Sequence, residues 1–190
     1  MNINVKRLFA SVCIIAFGAF ATLPLLAQPD SKAKPSAREL LSAAVKTGNA
    51  ESKTILVHFS ASWCGWCKRL DAFLQAPDVG KLMTDNYVLL ELTVQESREK
   101  KALENPGAEA LMKEMGGANA GLPFYFFLDK QGKKIGDSLV MPGGKNIGHP
   151  ANAKEIEAFA GLLERTAPRM TTTQRARIVE YLTQNAPQRS

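Results

Sequence analysis

Apolar and polar positions along this chain follow two periods, and their order predicts strands interleaved with helices. Thr54 to Ser60, with Ile-Leu-Val-His-Phe at its centre, is apolar nearly throughout, as a central strand covered on both faces must be. From Cys64 to Gln75 the period becomes helical, with Cys67, Leu70 and Leu74 on one face and Pro77 as the break. Asp78 stands where it would cap a short helix carrying Val79, Leu82 and Met83. Tyr87 to Val94 then reads as a second strand, so strand, helix, strand makes a right-handed parallel crossover.

Upstream, Ser36 and Glu39 have capping-box spacing for a helix whose apolar face is Leu40, Leu41, Ala44 and Val45, and which Gly48-Asn49 should end. Downstream, the charged stretch Gln95 to Asn105 reads as a mobile connection. Asn105-Pro106 reads as cap and first turn of a helix lined by Leu111, Met112 and Met115 and stopped by Gly116-Gly117. The aromatic run Phe124 to Leu128 is a strand, Asp129 to Gly132 a turn, and Lys133 to Val140 an antiparallel return. Met141 to Ala151 is a glycine-rich loop in which His149 is expected to face solvent. Asn152 with Glu155 begins a helix that turns Ile156, Phe159, Ala160 and Leu163 inward, and Thr171 to Asn185, with Ile178, Val179 and Leu182, predicts a last one.

The first residues change the picture. Lys6-Arg7 precede an apolar run from Leu8 to Ala27 followed by polar Gln28-Pro29-Asp30, the pattern of a secretory signal peptide over residues 1–27. Its length also suits an uncleaved inner-membrane anchor, and both readings export the remainder to a periplasmic or secreted location. The formal charge of +6 is modest, and the basic residues are interspersed with acids, so the clustered footprint of a nucleic-acid binder is lacking.

Export sharpens the cysteine count. Cys13 lies inside the apolar run, so the mature chain keeps only Cys64 and Cys67, in a compartment that permits disulfides. A bridge across so short a loop removes little unfolded-state entropy, so redox chemistry explains the pair better than stapling does. The strand before it delivers Cys64 to a helix start, where unpaired N–H groups and the helix dipole stabilise a thiolate.

The segment Ile-Leu-Val-His-Phe-Ser-Ala-Ser-Trp-Cys-Gly-Trp-Cys-Lys, Ile55 to Lys68, resembles the active-site segment of the thioredoxin superfamily, and Gly121-Leu122-Pro123-Phe124 resembles its cis-proline loop. The resemblance runs over about Ser36 to Arg165. The chain thus divides into a polar, proline- and lysine-containing tether at 28–35, a thioredoxin-like domain at 36–165 and, from its amphipathic pattern, a C-terminal helical extension at 166–190. The resemblance covers the middle part. It implies an α/β fold with a mixed four- to five-stranded sheet flanked by helices, and an enzyme that exchanges disulfides with protein substrates and a redox partner without a bound cofactor or metal. Cys64 would attack, Cys67 would resolve, and Leu122 and Pro123 would meet the substrate backbone. Trp66 stands where thioredoxin has proline and suits a substrate platform. His58 stands where thioredoxin has a buried aspartate and, with Trp63, Gly65 and Lys68, is a candidate for tuning the pair. On strand alternation His58 shares a face with Leu56 and Ser60. The Gln95 to Gly121 segment is longer than its thioredoxin counterpart.

Other uses of the two thiols stay in view. Zinc wants four ligands, and only His58 and His149 supplement the pair. Haem attachment needs histidine where Lys68 stands. A copper-handling protein using both thiolates and a histidine, and a non-catalytic binding module, are the remaining alternatives.

Overall fold

The computed structural model describes residues 34–187. The expected signal segment with Cys13, the tether up to residue 33 and residues 188–190 lie outside the described residues. Among the described residues no helix is long and apolar enough to cross a membrane.

β1 (Thr54–Ser60) is the centre of the fold. It pairs in parallel with β2 (Tyr87–Thr93) and antiparallel with β3 (Phe124–Leu128), which pairs antiparallel with β4 (Lys134–Asp137), giving the order β2-β1-β3-β4. This is the mixed sheet that the resemblance implied, with four strands. The near-continuous apolar character of β1 follows from having a strand on each side and helices on each face. Ile55, Val57 and Phe59 pack with α1 (Ala37–Glu51) and α4 (Ala108–Met112) through Leu41, Ala44, Leu111 and Met112. On the opposite face Leu56 joins residues of α2 (Gly65–Gln75), α3 (Gly80–Asn86), α5 (Ala153–Thr166) and α6 (Thr172–Gln184). Each large apolar side chain taken from water there is worth about 1.5–3 kcal/mol.

Several helix boundaries differ from expectation, each for a visible reason. The capping box of Ser36 and Glu39 forms as expected, but α1 runs through Gly48-Asn49 and ends at Ser52, whose φ of 54° closes it. Gly48 is there for packing: a Cβ on it would lie 2.7 Å from Ile55 Cδ1 and 2.9 Å from Lys53 O. Asp78 does not cap α3, which starts from Val79 without a side-chain cap; its carboxylate instead pairs with Arg177 of α6 at 3.0 Å.

The stretch expected to be mobile, Gln95 to Asn105, contains a 3-10 helix, Arg98–Leu103, and buries Glu96 and Asn105. Asn105 is not a helix cap. Its side chain accepts from Thr93 N at 2.9 Å and its own N–H returns to Thr93 O, so it sews this connection to the end of β2. α4 therefore starts two residues late, from Gly107 in the left-handed conformation, and passes into a π-turn, Lys113–Gly117, that Gly116 closes at φ 96°. α5 and α6 start on Asn152 and on a Thr171–Gln174 capping box. Ile178 and Leu182 carry α6 into the core beside Phe73 and Phe159.

Candidate active site

Cys64 is the N-cap of α2, delivered there by the turn after β1. Its backbone N–H bonds to Ala61 O at 2.9 Å, and its Sγ accepts the Cys67 N–H at 3.1 Å. The two cysteines are joined as a disulfide with Cα atoms 5.3 Å apart. Cys67 is fully buried, and Cys64 keeps 4% of its surface. With the disulfide opened, the N–H that now reaches Cys64 Sγ, together with the positive end of α2, would stabilise a thiolate at position 64.

Leu122 closes over this pair, packing with Ala61, Cys64 and Cys67. The Leu122-Pro123 bond is cis, as the resemblance implied. A groove of about 1100 Å³ opens beside it, walled by Trp66, by Gly121 to Pro123 and by Gly144 to His149.

Residues 37–130 match a family model described as thioredoxin-like. The chain carries a thioredoxin-like domain. No curated protein sequence matches the chain. Among solved structures it is similar to the disulphide isomerase from Xylella fastidiosa Temecula1, at 18% identity and a TM-score of 0.48 over 82% of this chain and 94% of that one. It is also similar to the oxidised DsbD C-terminal domain of Neisseria meningitidis, at 25% identity and a TM-score of 0.39 over 55% and 84% of the two chains. Thioredoxin NaTrxh from Nicotiana alata shares 18% identity, with a TM-score of 0.40 over 72% of this chain and 98% of that one.

In this thioredoxin-like domain the two tryptophans of the motif are both exposed, Trp63 at 58% and Trp66 at 47%. Trp63 is tied to the long connection after β2, its Nε1 donating to Gln95 O at 2.8 Å. The Trp66 ring has as neighbours Arg69, whose guanidinium carbon is 5.6 Å from the ring centre, and the ring of His149 at 6.4 Å. Gly65 has open space where a Cβ would stand, and Lys68 is exposed on the helix surface.

His58 is buried on the α2 face of the sheet. Its Nε2 lies 3.1 Å from Asp71 Oδ1 and 3.8 Å from Glu91 Oε2, while Nδ1 is buried without a hydrogen-bond partner. These three residues are brought together across α2, β1 and β2, and Asp71 stands one helical turn beyond Cys67. Neither histidine forms a metal-ligand cluster with the cysteines among the described residues.

His149 corrects the sequence expectation. It is 8% exposed, packed between Trp66 and Phe73, and burial with the nearby Arg69 charge lowers its pKa to about 4. It is therefore neutral at neutral pH.

Two further residues escaped the sequence reading. Glu96 is 5% exposed, and its carboxylate accepts from Ser62 N and from Ser62 Oγ at 2.8 Å, fixing the loop just ahead of Cys64. These bonds, chiefly the backbone one, hold its carboxyl below the usual range. Asn146 donates through Nδ2 to Gly121 O at 2.6 Å and to Pro123 O at 3.0 Å. Its signal in the sequence was only a polar residue in a glycine-rich loop.

Proposed function

We propose that this protein is an exported thiol:disulfide oxidoreductase that exchanges disulfides with protein substrates through Cys64 and Cys67. The observation that carries the reading is Cys64 at the cap of α2, its Sγ receiving the Cys67 N–H, beside a groove lined by Trp66 and the Leu122-Pro123 segment.

In the reduced protein the Cys64 thiolate attacks a substrate disulfide, forming a mixed disulfide and releasing one substrate thiolate. The Cys67 thiolate then attacks Cys64 Sγ, forming the intramolecular disulfide and releasing the second substrate thiolate. Two electrons pass to the substrate, and a redox partner returns them. Run backwards, the same steps oxidise a dithiol, and the potential relative to the partner sets the direction. Leu122 makes no backbone hydrogen bond among the described residues, which supports its pairing with an extended substrate. His58, buried beside Asp71 one turn beyond Cys67, is the residue we assign to tuning the pair. Export rests on the Lys6-Arg7 pair and the apolar run after it.

The test is the reduction potential of the pair against glutathione, with alkylation of Cys64 across pH and trapping by Cys67→Ala. Expected are a defined two-electron couple, a Cys64 reactive below the ordinary thiol pKa of about 8.5, and mixed disulfides on Cys67→Ala. Cysteines that never form a disulfide in solution, or that resist alkylation when reduced, would leave a non-catalytic binding module instead. Cell fractionation with N-terminal sequencing checks export, and a protein retained in the cytoplasm would sink that part of the reading.

A further inference from the structure

The loop between β4 and α5 touches both walls of the groove. At one end Asn146 spends both amide hydrogens on the carbonyls of Gly121 and Pro123, and its Oδ1 accepts from Gly148 N at 3.2 Å. Gly148, at φ 54°, lies in van der Waals range of Pro123, where a Cβ would stand 3.5 Å from the proline ring. At the other end the His149 ring lies nearly parallel to Trp66, at 26°, and against Phe73. Asn146 thus occupies the carbonyls on either side of Leu122 and leaves the Leu122 N–H and C=O as the pair free to meet an incoming strand. A chain lying there pairs with Leu122, and Asn146, by tying down the residue on either side, holds that one pair of groups in place.

We infer that Asn146 and His149 are positioning residues for the exchange reaction proposed above. Asn146 holds the Leu122 backbone on which an extended polypeptide pairs, and His149 holds Trp66 as the opposite wall. This positioning matters to a substrate with a main chain to pair beside its cysteine, and not to a small disulfide that has none. His149 acts through its flat ring. Its Nδ1 is buried with no partner, so stacking, not hydrogen bonding from that edge, is what it supplies to Trp66.

The inference rests on the oxidoreductase reading, and the experiment separates the two. Steady-state kcat and KM are measured on a disulfide-bonded peptide and on a small aromatic disulfide, for the full protein and for Asn146→Ala, Asn146→Asp, His149→Ala and His149→Phe. Losing one well-placed hydrogen-bonding group or stack should raise the peptide KM about tenfold in Asn146→Ala and His149→Ala, with kcat within about twofold. The preference for peptide over small disulfide, as a ratio of kcat/KM, should fall about tenfold with it. Asn146→Asp, equal in size but turning a carboxylate on two carbonyls, should match Asn146→Ala, whereas His149→Phe should restore the peptide KM to within about twofold.

An unchanged peptide KM, or equal losses on both substrates, would overturn the positioning role. So would an Asn146→Asp variant that behaves as wild type or a His149→Phe variant as poor as His149→Ala. Binding of a redox-inert peptide, with serines in place of its cysteines, gives the same comparison without turnover. If the wild type exchanges neither disulfide, the oxidoreductase reading fails while the peptide affinities still decide this one.

Discussion

Glu96 grips the chain two residues ahead of Cys64, and it does so from the connection that follows β2. One carboxylate oxygen takes the Ser62 N–H, the other the Ser62 hydroxyl, while Gln95, at φ 53°, turns its carbonyl to Trp63 Nε1. A non-glycine residue in that conformation is uncommon and persists where its surroundings hold it. Glu96→Ala leaves the Ser62 N–H without its partner and should lower the urea midpoint, with Glu96→Gln lowering it less, since an amide can still accept from that N–H. Equal midpoints for both variants would show that the charge, not the hydrogen-bond pattern, holds the loop. None of this was legible in the sequence, where Glu96 is one acid in a charged run. His58 was partly legible: alternation gave its face correctly, but Asp71 and Glu91 become its neighbours only through the β1–β2 register, which pairs His58 with Glu91, and through the docking of α2. His149 was misread because a glycine-rich stretch usually lies on the surface, whereas here Trp66 and Phe73 cover it.

At the scale of elements, periodicity was the dependable signal and caps were not. The strands β1 to β4 and the helices α1, α2, α5 and α6 appear where their apolar periods ran, because burying one face outweighs a few tenths of a kcal/mol of local preference. The boundaries that moved did so where a polar or small residue had a tertiary use: Asp78 for Arg177, Asn105 for β2, Gly48 for β1. Gly48 allows the competing effects to be weighed. In an open helix, alanine would gain about 1 kcal/mol over glycine. Here the new methyl would meet a backbone carbonyl at 2.9 Å and Ile55 at 2.7 Å, and overpacking costs about 1–3 kcal/mol. Gly48→Ala should therefore destabilise the protein by roughly the difference, up to about 2 kcal/mol, at unchanged urea m-value. A stabilised variant would mean that the end of α1 yields and that Gly48 serves the helix terminus after all.

For the whole molecule, acid stability should show two windows with different owners. His149 is lowered to about 4 from an ordinary 6.5, by burial first and by the Arg69 charge second. Between those values the unfolded chain binds a proton that the native chain refuses, so stability falls as pH drops from about 6.5 toward 4, and is flat with respect to this group above that range. The slope cannot exceed one proton, and partial access of solvent to the groove keeps it below that. Glu96, Glu104 and Glu39 are shifted down through hydrogen bonds to Ser62, Lys101 and Ser36, so their contribution is present above the ordinary carboxylate pKa and lost only as pH falls through their lowered values. His149→Phe keeps the stack on Trp66 but has nothing to protonate. Urea unfolding at pH 7, 5.5 and 4.5 should show the wild type losing stability across the first window and His149→Phe holding level, the two then falling together below it. Parallel curves from pH 7 downward would mean that the His149 ring is protonated without cost, and hence that the loop opens readily enough to wet it. That outcome would also predict weak positioning of a peptide in the groove, because the loop that shields His149 is the one that holds Asn146 on Gly121 and Pro123.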